Sequence, residues 1–114
     1  MTTGADVQLA TLVYGNDNTV TAFDARALLH LQVVIGAKLR RKESFFLSWT
    51  QRDVPGRPST SLWLDCAIPL QFDYPHGRPD PINRAWIDAL TRSANGGGGL
   101  FLVEEPTSDF ARSA

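Results

Sequence analysis

Few side chains in this chain are of a type that could do chemistry, and spacing decides which of them could act together. His30 and His76 are the two histidines, and Cys66 is the one cysteine. A metal site needs three or four ligands at compatible spacing, and no HxH, HxxE or CxxC pattern occurs. His30 reads as a helix-surface residue and His76 as a turn residue, so no metal and no cofactor is expected. Cys66 alternates with Leu64 along a strand and reads as a buried small hydrophobe, not a nucleophile. A lone cysteine can form neither an internal disulfide nor a cysteine zinc site. Asp65 beside it points to the opposite sheet face, so the two do not cooperate. With no convergent acid, base and nucleophile, no catalytic residue is assigned and enzymatic activity is not expected.

The run Gly96-Gly97-Gly98-Gly99 invites a phosphate-loop reading. Glycine loops that hold phosphate precede a helix, whose free N–H groups and positive dipole end face the anion. This run follows a helix and meets its negative end, so it reads as a flexible connection from helix to strand.

Two surfaces remain as candidates. The first is basic: Lys38, Arg40, Arg41 and Lys42 form a knot, joined by Arg52, Arg57, Arg78 and Arg84. If the loop 51–60 folds near the turn at 76–79, these residues converge on one sheet edge as an anion or nucleic-acid site. The bland alternative is a solvated rim with salt bridges to Glu43, Asp53 and Asp80. The knot also suits its place structurally, because cations at a helix C-terminus are favourable by about 0.3–1 kcal/mol each.

The second surface is apolar. Alternation in ESFFLSW and SLWLDC turns Phe46 and Trp63 away from the face that carries Phe45, Trp49, Leu62 and Leu64. Exposed aromatics could stack bases at about 1–3 kcal/mol each. Asp65 and Asp73 are expected on the same face and would repel a phosphate backbone, which favours a protein partner or a second copy of the chain. On the first helix, Leu29, Val33 and Val34 lie off the core stripe. They read either as a wide core-facing band or as surface buried by a partner. The candidate interface is therefore Leu29, Val33, Phe46 and Trp63.

The elements that must position these residues follow from periodicity. Leu9 to Tyr14 and Thr19 to Phe23 form a hairpin about the turn residues Gly15-Asn16-Asp17-Asn18. Asp24 caps a helix that runs to about Arg41, with Leu28, Leu31, Ile35 and Leu39 on one stripe. Strands follow at Ser44–Thr50, Ser61–Ile68 and Leu70–Tyr74, the last two separated by a break at Pro69. Asp80-Pro81 reads as the start of a second helix, with proline at its first position, ending at Ala94 before Asn95 and Gly96. Leu100 to Glu104 is a last strand. The order ββαβββαβ predicts a two-layer α+β fold, with two helices on one face of a largely antiparallel sheet. Residues 1–106 are expected to form one domain and 107–114 a loose tail.

At 114 residues the chain has the size of a single domain. Its 43% hydrophobic and 20% charged residues are ordinary for a folded chain. A net charge of −1 excludes a global electrostatic attraction to nucleic acid, so any such binding must come from local clustering. MTTGADVQ lacks the basic and apolar regions of a signal peptide, and no apolar run approaches the roughly 20 residues that span a bilayer. A cytoplasmic protein that does not enter the membrane is expected.

The segments LVYG, ALLHLQVVIGAKLRR, ESFFLSW, SLWLDCAIPLQF, INRAWIDALTRSAN and GGLFLVEEP resemble a family of small, functionally uncharacterised actinobacterial proteins of about this length. The resemblance spans roughly Thr11 to Pro106. Many members carry an automatic label of ATP-dependent DNA ligase. Such a ligase attacks the α-phosphate with the lysine of a Lys-x-Asp-Gly motif. Here Lys38 precedes Leu39-Arg40-Arg41 and Lys42 precedes Glu43-Ser44-Phe45, so neither lysine fits. The sequence thus supports a non-enzymatic interaction module that acts through protein contacts or self-association. The alternative is a nucleic-acid-binding accessory protein linked to DNA repair or ligation.

Overall fold

A computed structural model describes residues 8–50, 59–79 and 81–107. Its elements are β1 (Leu9–Tyr14), β2 (Thr19–Asp24), α1 (Ala25–Arg40), β3 (Phe45–Thr50), β4 (Ser59–Leu64), β5 (Leu70–Asp73), α2 (Arg84–Ala94) and β6 (Leu100–Phe101). The ββαβββαβ order and the α+β class are those read from the sequence.

The strands divide between two three-stranded sheets, ordered β2-β1-β5 and β4-β3-β6. In the first, β1 pairs antiparallel with β2 and with β5, bringing Leu12 opposite Phe72 and Tyr14 opposite Leu70. In the second, β3 pairs antiparallel with β4 and parallel with the short β6. The Tyr14 hydroxyl donates to the Trp63 carbonyl and links the two sheets. Helix α1 packs on β1 and β2, α2 packs on β6, and the helices pack on each other. One core results, with Leu12, Leu28, Leu31, Ile35, Leu47, Leu64, Leu90 and Leu100 fully buried.

Local chemistry explains most boundaries. Asn18 takes a left-handed backbone and donates its N–H to the Gly15 carbonyl at 3.1 Å, closing the β1–β2 hairpin. The Asp24 carboxylate accepts from Ala27 N–H and starts α1. At the other end Lys42, at φ 61°, turns the chain while its N–H and that of Arg41 close on carbonyls of the last helical turn.

The start of α2 differs from the expected one. Its N-cap is Asn83, whose side-chain oxygen accepts from Ala85 N–H and Trp86 N–H at 3.0 and 3.3 Å. Pro81 therefore precedes the helix, and Asp80 lies outside the described residues. Strands β4 and β6 also end earlier than expected, at Leu64 and Phe101. Asp65 accepts from Ala67 N–H at 2.8 Å, which turns the chain out of β4. Cys66 consequently sits in a turn and is exposed, not buried.

Candidate functional site

The outer face of the β4-β3-β6 sheet presents three large aromatics. Phe46 and Trp63 are direct cross-strand partners, with ring centroids 4.9 Å apart at 67°, an edge-to-face geometry that suits aromatic quadrupoles. Phe101 joins them from β6, in register with Ser48. Phe46, Trp63 and Phe101 are 47%, 46% and 49% exposed. Between them Ser48 and Ser61 satisfy each other at 2.7 Å.

The glycine run positions this face. Gly99 has φ +93°, and a Cβ there would lie 2.7 Å from the Phe46 carbonyl oxygen, so only glycine lets the connection lie against β3. Ser93 Oγ donates to the Gly99 carbonyl at 3.0 Å and accepts from Phe101 N–H at 2.8 Å. The connection from α2 to β6 is thus tied back to α2 where it delivers Phe101. The sequence marked Phe46 and Trp63 but not Phe101, whose side follows from its register with β3.

Of the two acidic residues expected on this face, one is placed elsewhere and the other is engaged at its end. Asp73 belongs to the other sheet, where both its carboxylate oxygens accept from Gln71 Nε2 at 2.9 Å. Asp65 accepts from Ser44 Oγ at 3.1 Å and from the backbone of its own turn.

The described residues of the basic knot are divided by their contacts. Lys38 is buried, donating to Glu43 at 2.8 Å and to Asn95 Oδ1 at 3.3 Å, with its ammonium 5.8 Å from the Phe45 ring centroid. Arg41 reaches the other Glu43 oxygen at 3.3 Å. The Lys38 ammonium, with Arg41, holds the Glu43 carboxyl below its ordinary range. Lys38 thus spends its contacts at the end of α1. Arg40, Lys42, Arg78 and Arg84 are exposed, whereas Arg52 and Arg57 lie outside the described residues. Arg40 and Arg78 come together on one groove between α1 and β5. On the helix flank the expected interface also divides: Leu29 is 3% exposed and belongs to the interior, while Val33 is 41% exposed.

A polar clasp, buried at His30, joins α1, the start of α2 and the last described segment. His30 is fully buried, contrary to its expected surface position. Its Nδ1 lies 2.7 Å from the Arg26 carbonyl, and its Nε2 accepts from Asn83 N–H at 2.8 Å. That pairing assigns the proton to Nδ1. The ring packs on Trp86 at a centroid distance of 4.6 Å, and Trp86 Nε1 donates to the Val103 carbonyl at 2.9 Å. Asn83 Nδ2 donates to Glu105 and to the Pro106 carbonyl, and Arg26 forks onto both Glu105 oxygens. Burial pushes the His30 pKa down, and the Arg26 guanidinium pulls that of Glu105 down.

With these sites in place, the chain can be set beside known families. The model of a domain of unknown function, DUF7882, matches residues 9–105. The chain belongs to the DUF7882 family. No curated protein and no solved structure matches it. The aromatic face and the groove of the DUF7882 domain lie within the matched span, as do the clasp residues from Arg26 to Glu105.

A cavity of about 650 Å³ lies beside the clasp, walled by Trp86, Leu102 and Val103 with Asp24 and Glu105 at its margin. Both ring nitrogens of His30 are engaged in the fold, so neither is placed to exchange a proton with a ligand there. Among the described residues no group of three or more His, Cys, Asp and Glu side chains could hold a metal ion. No helix among them is long and apolar enough to cross a membrane.

Proposed function

We propose that this DUF7882 domain is a non-enzymatic interaction module whose working surface is the aromatic face of the β4-β3-β6 sheet, covered by a second copy of the chain. The observation that supports this is the half-exposure of Phe46, Trp63 and Phe101 on one continuous sheet face. Aromatics are enriched at interface centres, where they bury large area at low entropy cost. Twofold dimers are the commonest oligomers, because one self-complementary patch serves both subunits. The serine pair beneath the rings leaves no unpaired polar side chain at the centre of that patch.

Sedimentation at micromolar concentration tests the reading. A dimer is expected, with an interface that buries at least about 1,000 Å² in total. Trp63→Ala should shift the equilibrium to monomer, and Val33→Asp on the helix flank should leave the dimer intact. A monomeric wild type, or a dimer broken by Val33→Asp alone, overturns this surface.

A further inference from the structure

A second surface, independent of the aromatic face, lies on the other sheet. Between α1 and β5 runs a groove of about 470 Å³ with an apolar floor that includes Val33, Gly36, Leu70 and Phe72. Arg40 and Arg78 line it, and no carboxylate among the described residues does. Both arginines are exposed and neither forms a salt bridge among the described residues. Tyr74, which donates to Gln32 Oε1 at 2.8 Å, adds no negative charge, since burial pushes its phenol up to about 12. The described lining is therefore net cationic over an apolar floor, although the molecule as a whole carries a charge of −1.

Two further features bear on what fills it. Gly36 stands in the C-terminal third of α1, and a Cβ there would meet nothing within 4 Å. Glycine is a poor helix residue, so its presence keeps the helix surface low without relieving any steric conflict. Strand β5 pairs only with β1 among the described residues, so it forms one edge of its sheet. An edge strand beside an apolar groove can accept an extended segment, with backbone hydrogen bonds giving affinity and alternate side chains giving specificity. A small molecule would gain nothing from the strand edge and would leave much of its surface wet in an open groove.

We infer that the α1–β5 groove binds an extended acidic segment of a partner protein, with apolar side chains over Gly36 and Phe72 and flanking carboxylates on Arg40 and Arg78. Charge complementarity selects the acidic residues: guanidinium groups hold carboxylates through paired, charge-assisted hydrogen bonds. The apolar floor selects what lies between them.

Fluorescence polarisation of the full chain tests the assignment. The probe is a labelled heptapeptide with glutamate, leucine, leucine and glutamate at alternate positions and serine between them. Saturable binding is expected, with a Kd below about 1 mM. A counterpart with lysine in place of glutamate should not bind. Arg40→Glu and Arg78→Glu should each weaken binding by about tenfold or more. Gly36→Leu improves helix propensity and projects into open space, so it should keep the fold and block the groove without altering charge. No saturable binding, equal binding of the lysine peptide, or binding unchanged by Gly36→Leu overturns the inference. So does a groove that serves self-association instead, seen as loss of a dimer in Gly36→Leu with no peptide bound to the wild type.

Discussion

His30 is held from both sides of its ring: the Arg26 carbonyl needs a proton on Nδ1, and the Asn83 N–H needs a lone pair on Nε2. Protonation sets two donors against each other in a buried site, which agrees with the lowered pKa. The folded state therefore binds this proton less readily than the unfolded chain. The stabilisation is fully present above about pH 6.5, the unfolded value, and is lost as pH falls through the lower folded value. Denaturant midpoints should drop between pH 7.5 and 5.5 in the wild type. His30→Gln, which keeps an acceptor and a donor but does not titrate, should flatten that dependence. His30→Leu leaves Asn83 N–H without a partner and should cost about 1–3 kcal/mol at neutral pH. Equal slopes for wild type and His30→Gln would remove His30 as the titrating group. The Glu105 carboxyl is lowered too, so its contribution is lost in a separate, more acid window. None of this was legible in the sequence. His30 reads as a surface residue because its partners, Asn83 and Trp86, lie far along the chain, and only its place beside Leu31 and four residues before Val34 hinted at burial.

At the scale of elements, alternation and helical spacing were enough wherever the deciding interactions are local. β1, the hairpin turn, α1 with its Asp24 cap and the inward and outward sides of β3 all follow from neighbours in sequence. The start of α2 does not. Asp80-Pro81 is a strong local signal, but Asn83 caps the helix with its side chain while its backbone N–H binds His30 and its amide binds Glu105. Tertiary bonds thus outweigh the local one. The division into two sheets is likewise invisible to periodicity, because β5 pairs back across the chain to β1 and β6 runs parallel to β3. The two caps carry a quantitative consequence. Asp24 makes one long bond, at 3.4 Å, and Asp24→Ala should cost only about 0.5 kcal/mol, the lower end for an N-cap. Asn83→Ala removes the cap and the hold on Glu105 and Pro106 together, and should cost about 2 kcal/mol or more. Denaturant melts of both variants decide it, and an equal loss would mean that the clasp adds nothing to the cap.

Across the whole molecule, charge is distributed in a way that separates the two kinds of partner. Of the eight basic residues that composition suggests as a polyanion site, Lys38 and Arg41 are committed to Glu43, while Arg40 and Arg78 face the α1–β5 groove. Arg84 opens α2, which packs on α1 and β6, and it does not line the groove. A phosphate backbone gains affinity by releasing one counterion for each phosphate neutralised, so it needs many cations along one track. The aromatic face could stack bases, and Asp73 is not on it to repel them, yet the buried Lys38 supplies no cation there. No saturable binding of a labelled oligonucleotide is therefore expected near 50 mM salt, where counterion release favours binding most. The opposite outcome has a distinct signature. Affinity that falls steeply with salt, with a slope flattened by combining Arg40→Ala and Arg41→Ala, would put nucleic acid ahead of a protein partner. Affinity that is indifferent to salt and lost in Trp63→Ala would instead mean that the aromatic face binds bases by stacking alone.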